Sequence, residues 1–273
     1  MNQALPSASL GYAAASQALL TQAIHTPDQG LQTGHFSLDV EGFSLTGYSA
    51  RPLGVDRPPV ILLISEIFGV HEHIADVARR LAQQGYWALA PALFLRQGDP
   101  GAYGDIPSLM QEVVYKVPDA QVMKDLDAVL AWAQAQGGDM GRLGVTGFCW
   151  GGRISWLYAA HNPAVRAAVA WYGRMIGVCN ERTPAHPIDR VAQLHGPVLG
   201  LYGGRDEGIA LDTVDKMRLA LKNGSVAAQR SEIHVYPQAP HAFFADYRPS
   251  YRQDEAVDGW QRCLAWFKAH GVA

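Results

Sequence analysis

The chain has 273 residues, 48% of them hydrophobic and 17% charged, a balance that allows a large buried core and excludes a largely disordered polymer. Its 22 basic and 25 acidic residues leave a formal charge of −3 with no Lys/Arg-rich run, so nucleic acid is not an expected partner. No apolar run nears the ~20 residues needed to span a bilayer as a helix, so no membrane partner is expected either.

Residues 1–30 are rich in Ala, Gln and Ser with only a weak helical pattern, and they read as a loosely attached arm or short helix ahead of a single domain over 31–273. They contain no Lys or Arg, so the apolar stretch 13–24 lacks the positive flank of a signal peptide. Three cysteines, Cys149, Cys179 and Cys263, cannot all pair within one chain and show no metal-ligand spacing. Free thiols in a reducing, cytoplasmic setting are the expectation.

Residues 35–50 alternate about a Glu41-Gly42 turn, the pattern of an antiparallel hairpin at a sheet edge. Short apolar runs follow at 60–65, 86–89, 143–148, 167–171, 198–202 and 233–236, mostly continuous rather than alternating, as strands covered on both faces are. Between them, 73–84, 119–136, 153–161, 212–223 and 252–270 have helical spacing, with Gly85, Gly137 and Gly224 placed as C-terminal stops. This alternation predicts βαβ crossovers and an α/β fold: a mostly parallel central sheet with helices on both faces. Residues 96–118, with several Gly and Pro, read as an irregular loop or cap edge over the sheet.

The segment from Leu143 runs from an apolar strand into Gly147-Phe148-Cys149-Trp150-Gly151-Gly152 and then a helix. This is a nucleophile elbow with Cys in place of Ser: the sharp turn needs glycines on either side, and the following helix N-terminus favours a thiolate. A lone cysteine is more often a small buried hydrophobe, which is the reading given to Cys179 and Cys263, since neither has a glycine frame. An elbow nucleophile requires an acid after a later strand and a histidine after the last. Asp206 follows a strand and a Gly203-Gly204 turn, with Glu207 beside it as the rival acid, and His241 follows the final strand and a short loop. Asp206 would orient the imidazole of His241, which would take and return the thiol proton. His71-Glu72-His73 lacks a third ligand at a supporting spacing, so no metal is expected, and the chemistry calls for no cofactor.

Four motifs in register, Ser65-Glu66-Ile67-Phe68-Gly69-Val70, the cysteine elbow, Gly204-Arg205-Asp206 and His241-Ala242-Phe243-Phe244, resemble the dienelactone hydrolase family of the α/β-hydrolase superfamily, from about residue 34 to 267. The resemblance implies an α/β-hydrolase fold and a Cys149–His241–Asp206 triad acting on a small-molecule ester or lactone, as carboxymethylenebutenolidases do. It implies that Glu66 sits beside the resting cysteine and helps hold the thiol neutral. The backbone N–H groups of Ile67 and Trp150 become the expected oxyanion donors. Family members acting on dienelactone bind its carboxylate with arginines, one of them four residues after the histidine. Here that position is Ala245, which leaves Arg248 or Lys116 as candidates, with Tyr115 and Phe243 among the aromatic pocket walls. Two readings compete with an ester or lactone hydrolase: a non-catalytic small-acid-binding or regulatory protein on the same fold, and a hydrolase of another electrophile such as a phosphotriester. Monomer and dimer are equally open.

Overall fold

In the computed structural model the described residues are 23–273. The arm or short helix expected over 1–30 therefore lies mostly outside them. Its described end is not loose: the Thr26 N–H and hydroxyl bond the Asp76 carboxylate, the Thr26 carbonyl accepts from Arg79, and the Pro27 carbonyl accepts from Gln83.

Among the described residues eight strands form one sheet: β1 (Leu31–Val40), β2 (Phe43–Pro52), β3 (Pro59–Ile64), β4 (Trp87–Pro91), β5 (Asp139–Phe148), β6 (Val165–Trp171), β7 (Val198–Gly203) and β8 (Glu232–Tyr236). Their spatial order is β1-β2-β4-β3-β5-β6-β7-β8. β1 and β2 pair antiparallel around the Glu41-Gly42 turn, and β2 pairs antiparallel with β4. From β4 to β8 all pairings are parallel. Among the described residues seven helices connect and cover the sheet: α1 (Glu72–Gln83), α2 (Ile106–Glu112), α3 (Asp119–Ala135), α4 (Trp150–His161), α5 (Leu211–Lys222), α6 (Val226–Gln229) and α7 (Gln253–Ala269).

Burial follows the sequence pattern. Every residue of β3, β4 and β7 is buried, as required of strands covered on both faces, whereas β1 and β2 alternate because the hairpin has one solvated side. From α3, Trp132 packs on Phe36 of β1 and near Trp87 of β4. A Cβ at Gly144 of β5 would strike Phe267 of α7 and Val272, so α7 lies close over that strand. This is the α/β-hydrolase architecture.

Two expectations need correction. The 96–118 stretch is not wholly irregular: α2 forms there because Asp105 caps it, accepting from the Ser108 N–H at 2.8 Å, with Pro107 in its first turn. Gly85 and Gly137 do leave their helices in the left-handed region, at φ 94° and 92°, but Gly224 does not. Among the described residues no helix is long and apolar enough to cross a membrane.

The chain passes from β3 outward to β4, then returns across β3 to place β5 on its other side. Strand order reverses between β3 and β5, and at such a switch point a crevice opens beyond the strands' carboxyl ends. Ile64 pairs with Gly147 there, so Ser65-Glu66-Ile67 and Cys149 emerge side by side.

Candidate active site

Cys149 is the residue between β5 and α4, with φ 54° and ψ −112°. That conformation is costly for a non-glycine residue, on the order of 1–3 kcal/mol, and persists only where packing dictates it. Here the dictation is visible: a Cβ at Gly147 would lie 2.4 Å from the Gly151 carbonyl oxygen, and one at Gly151 would lie 2.3 Å from that of Ile64. Any larger residue at either position would push β5, α4 and β3 apart. Tyr172 (φ 39°) and Ala242 (φ 58°) are also left-handed, so strained backbone gathers at the ends of β5, β6 and the His241 loop.

The His241 ring is joined through Nδ1 to Asp206 Oδ2 at 2.6 Å. Asp206 is buried, and its Oδ1 accepts the Gly208 N–H at 2.8 Å, so the carboxylate cannot swing away from the ring. Glu207, the rival acid, is exposed, and the histidine bond goes to Asp206. Burial alone would lower the His241 pKa, but the charge of Cys149 and the hydrogen bonds to Asp206 and Cys149 outweigh it and raise the value to about 10. With Nδ1 on Asp206, the sulfur is left to Nε2. The raised value keeps the His241 ring protonated at neutral pH.

Ile67 and Trp150 both border the cavity above Cys149, and neither backbone N–H donates to an acceptor among the described residues. Two donors, one after β3 and one in the first turn of α4, are thus left without an acceptor among the described residues.

Glu66 is buried at the end of β3, but its hydrogen bonds run to His71 Nε2, at 3.2 Å, and to the Tyr247 hydroxyl, and none to Cys149. Burial pushes its pKa up; the His71 hydrogen bond and the charges of His71, His73 and Arg248 prevail and hold it near 2. Its second oxygen, Oε2, has no hydrogen-bond partner among the described residues. His73 bonds Asp246 at 3.2 Å, so His71 and His73 serve separate carboxylates, and among the described residues no group of side chains is arranged to hold a metal ion.

The cavity over Cys149 and His241 has a volume of about 790 Å³. Of the substrate contacts expected from sequence, Tyr115 lines it. Phe243 does not: it is fully buried in the core, packed on Tyr172 and Tyr236 with ring centroids 5.3 and 5.1 Å apart. Lys116 is exposed and outside the lining. Arg248 is also outside it, its guanidinium 5.5 Å from the centre of the Phe68 ring and its charge acting on Glu66. Instead the cavity has Arg174 and Arg205 at its exposed rim, neither with an ion pair or side-chain hydrogen bond among the described residues. Sequence reading missed both, together with Tyr172, whose ring meets His241 edge-on at 5.1 Å. Their signal was position: Tyr172 and Arg174 follow β6 and Arg205 precedes Asp206, all at carboxyl ends of parallel strands.

The sequence model of the dienelactone hydrolase family matches residues 45–271. A protein of Escherichia coli (strain K12) named "Putative carboxymethylenebutenolidase" is 52% identical over 262 residues, covering 96% of each chain. A crystal structure from Klebsiella pneumoniae titled a "Putative Dienelactone Hydrolase" is 55% identical, with a TM-score of 0.84 over 87% of this chain and 98% of that one. A dienelactone hydrolase-like promiscuous phosphotriesterase from metagenomic libraries shares the fold at 20% identity, with a TM-score of 0.71 over 88% of this chain and 99% of that one.

Proposed function

The chain belongs to the dienelactone hydrolase family and is a hydrolase, and from that premise we propose that it cleaves a small ester or lactone through an acyl-thioester on Cys149. The observation that carries this reading is the His241 imidazole, bonded to Asp206 at 2.6 Å and sharing one cavity with Cys149, whose charge raises the pKa of the ring. The thiolate attacks the substrate carbonyl carbon, and the oxygen that gains charge is taken by the Ile67 and Trp150 N–H groups. As the carbon–oxygen bond breaks, the leaving alkoxide takes the proton from His241 Nε2, and the acyl group stays on sulfur. Water then attacks the thioester and gives its proton to His241; the carbon–sulfur bond breaks, the acid leaves, and the thiolate–imidazolium pair is restored.

Esters and lactones suit this site better than amides, because an alkoxide or enolate leaves without the demanding protonation of nitrogen. Met110, Val114 and Val117 make one wall apolar, which fits a hydrocarbon portion of the substrate. Arg174 and Arg205 at the rim fit a negatively charged substituent, in place of the Arg248 or Lys116 contact. A thiol nucleophile also fits a reducing, cytoplasmic location.

Cys149→Ala tests the reading. Turnover of a nitrophenyl ester should fall by about a thousandfold or more, with the circular dichroism spectrum unchanged. A variant as active as its parent would end the thioester mechanism. A parent protein inert on a broad ester and lactone panel would favour the small-acid-binding alternative, and one active only on phosphotriesters the other.

A further inference from the structure

Arg153 lies one turn beyond Cys149 on α4, its N–H donating to the Cys149 carbonyl at 3.2 Å, and its buried side chain borders the same cavity. Its guanidinium grips Asp119 with both arms, Nη1 to Oδ1 and Nη2 to Oδ2, each at 2.7 Å. Nη2 also donates to the Ala185 carbonyl at 2.8 Å, and Nε to His186 Nδ1 at 3.4 Å. Burial is the largest influence on His186 and, with the Arg153 charge, lowers its pKa, so the neutral ring accepts from Arg153 and donates from Nε2 to the Val178 carbonyl at 3.3 Å.

The two segments met by this one side chain each supply part of the cavity lining. Asp119 begins α3, directly after the segment that contributes Met110, Val114, Tyr115 and Val117 to one wall. Ala185 and His186 end the loop that contributes Val178 and Asn180 to the adjoining wall. The Asp119 N–H donates to the Arg182 carbonyl at 2.8 Å, a second tie between the walls. A buried ion pair adds little net stability, because desolvating both charges offsets most of their attraction. What a bidentate fork does supply is direction: it fixes two planar groups edge to edge within a few tenths of an ångström.

We propose that Arg153 is a positioning residue that sets the width of the cavity, holding its two walls at a fixed spacing from the nucleophile helix and so selecting the size of the acyl group that reaches Cys149. The inference rests on Cys149 being the reactive group proposed above. It concerns access rather than bond making, so it is read by alkylation and needs no turnover.

The experiment compares the rates at which iodoacetamide and its N-butyl and N-octyl derivatives modify Cys149, followed by peptide mass spectrometry. It uses the parent protein, Arg153→Met, Arg153→Lys and the nearly isosteric Asp119→Asn. The expected result is a change of about tenfold in the long-to-short rate ratio for Arg153→Met and Asp119→Asn, with iodoacetamide itself within about twofold of the parent. Arg153→Lys, which reaches a single carboxylate oxygen, should fall between. An unchanged ratio in the Met and Asn variants overturns the proposal, as does a parallel loss of rate with all three reagents, which marks general damage to the site. Should Arg153→Met not fold, Asp119→Asn, which keeps shape and removes only the charge, decides alone. A parent protein whose Cys149 alkylates with length dependence yet hydrolyses no ester would sink the hydrolase reading and leave the width measurement standing.

Discussion

The nucleophile turn and the cavity walls meet at the same sulfur, yet they are held in place by different means. The turn is fixed by backbone packing: Gly147, Gly151 and the end of β3 approach so closely that the Cys149 conformation follows from the absence of side chains. The walls are fixed by side chains reaching across long sequence separations, Arg153 to Asp119 and His186 above all. Geometry that must be exact for bond making is built into the sheet, and geometry that selects substrate is left to contacts that single substitutions can change.

Substitutions at the two regions should therefore differ in kind. The largest effect after loss of the sulfur is expected from Asp206→Asn, which removes the charge that orients and stabilises the His241 imidazolium. Its kcat should drop by about 10²- to 10⁴-fold with little change in KM, as steady-state kinetics on a nitrophenyl ester would show. An effect confined to KM would move Asp206 from the reacting group to the walls.

Next in size is the pH response. Because His241 is raised from 6.5 to about 10, kcat/KM should show no step at 6.5 and should decline as pH rises through about 10, where the imidazolium proton needed by the leaving group is lost. The same shift stabilises the fold fully below pH 6.5, and that contribution is lost as pH climbs through about 10. Melting temperatures measured across this window should fall less in Cys149→Ala, which lacks the partner charge. Equal slopes would mean that sulfur and imidazole are not coupled.

The smallest effects belong to the rim. Arg174→Ala or Arg205→Ala should raise KM for a carboxylate-bearing ester by about fivefold relative to its neutral analogue, since exposed charge pairs contribute modestly. Lys116→Ala should leave both within about twofold. A reversed order would return the anion contact to the position favoured from sequence.

The same contrast explains what was legible before folding. Gly147, Cys149 and Gly151 could be read because backbone approach leaves glycine no alternative, and the hairpin and parallel strands because burial on one or two faces imposes its own periodicity. Phe243 could not be placed, since an aromatic residue two positions after a loop histidine can turn toward a cavity or the core, and here Tyr172 and Tyr236 draw it inward. The resemblance points to Arg248 as the arginine nearest the family's position after His241, with Lys116 as its substitute, whereas Arg174 and Arg205 border the cavity because they stand at strand ends. Glu66 is singled out by the resemblance alone, and its hold by His71 and Tyr247 depends on a residue 181 positions away. The Arg153 fork likewise joins residues 34 apart that no local pattern connects.

The most direct test is to look for the acyl group on sulfur. Rapid acid quenching of the protein during turnover of a nitrophenyl ester, followed by peptide mass spectrometry, should find the acyl mass on the Cys149 peptide and a larger fraction of it in His241→Ala, where deacylation is starved of its base. Sustained turnover with no acyl mass on Cys149, or with that mass on another residue, would contradict nucleophilic attack by this sulfur.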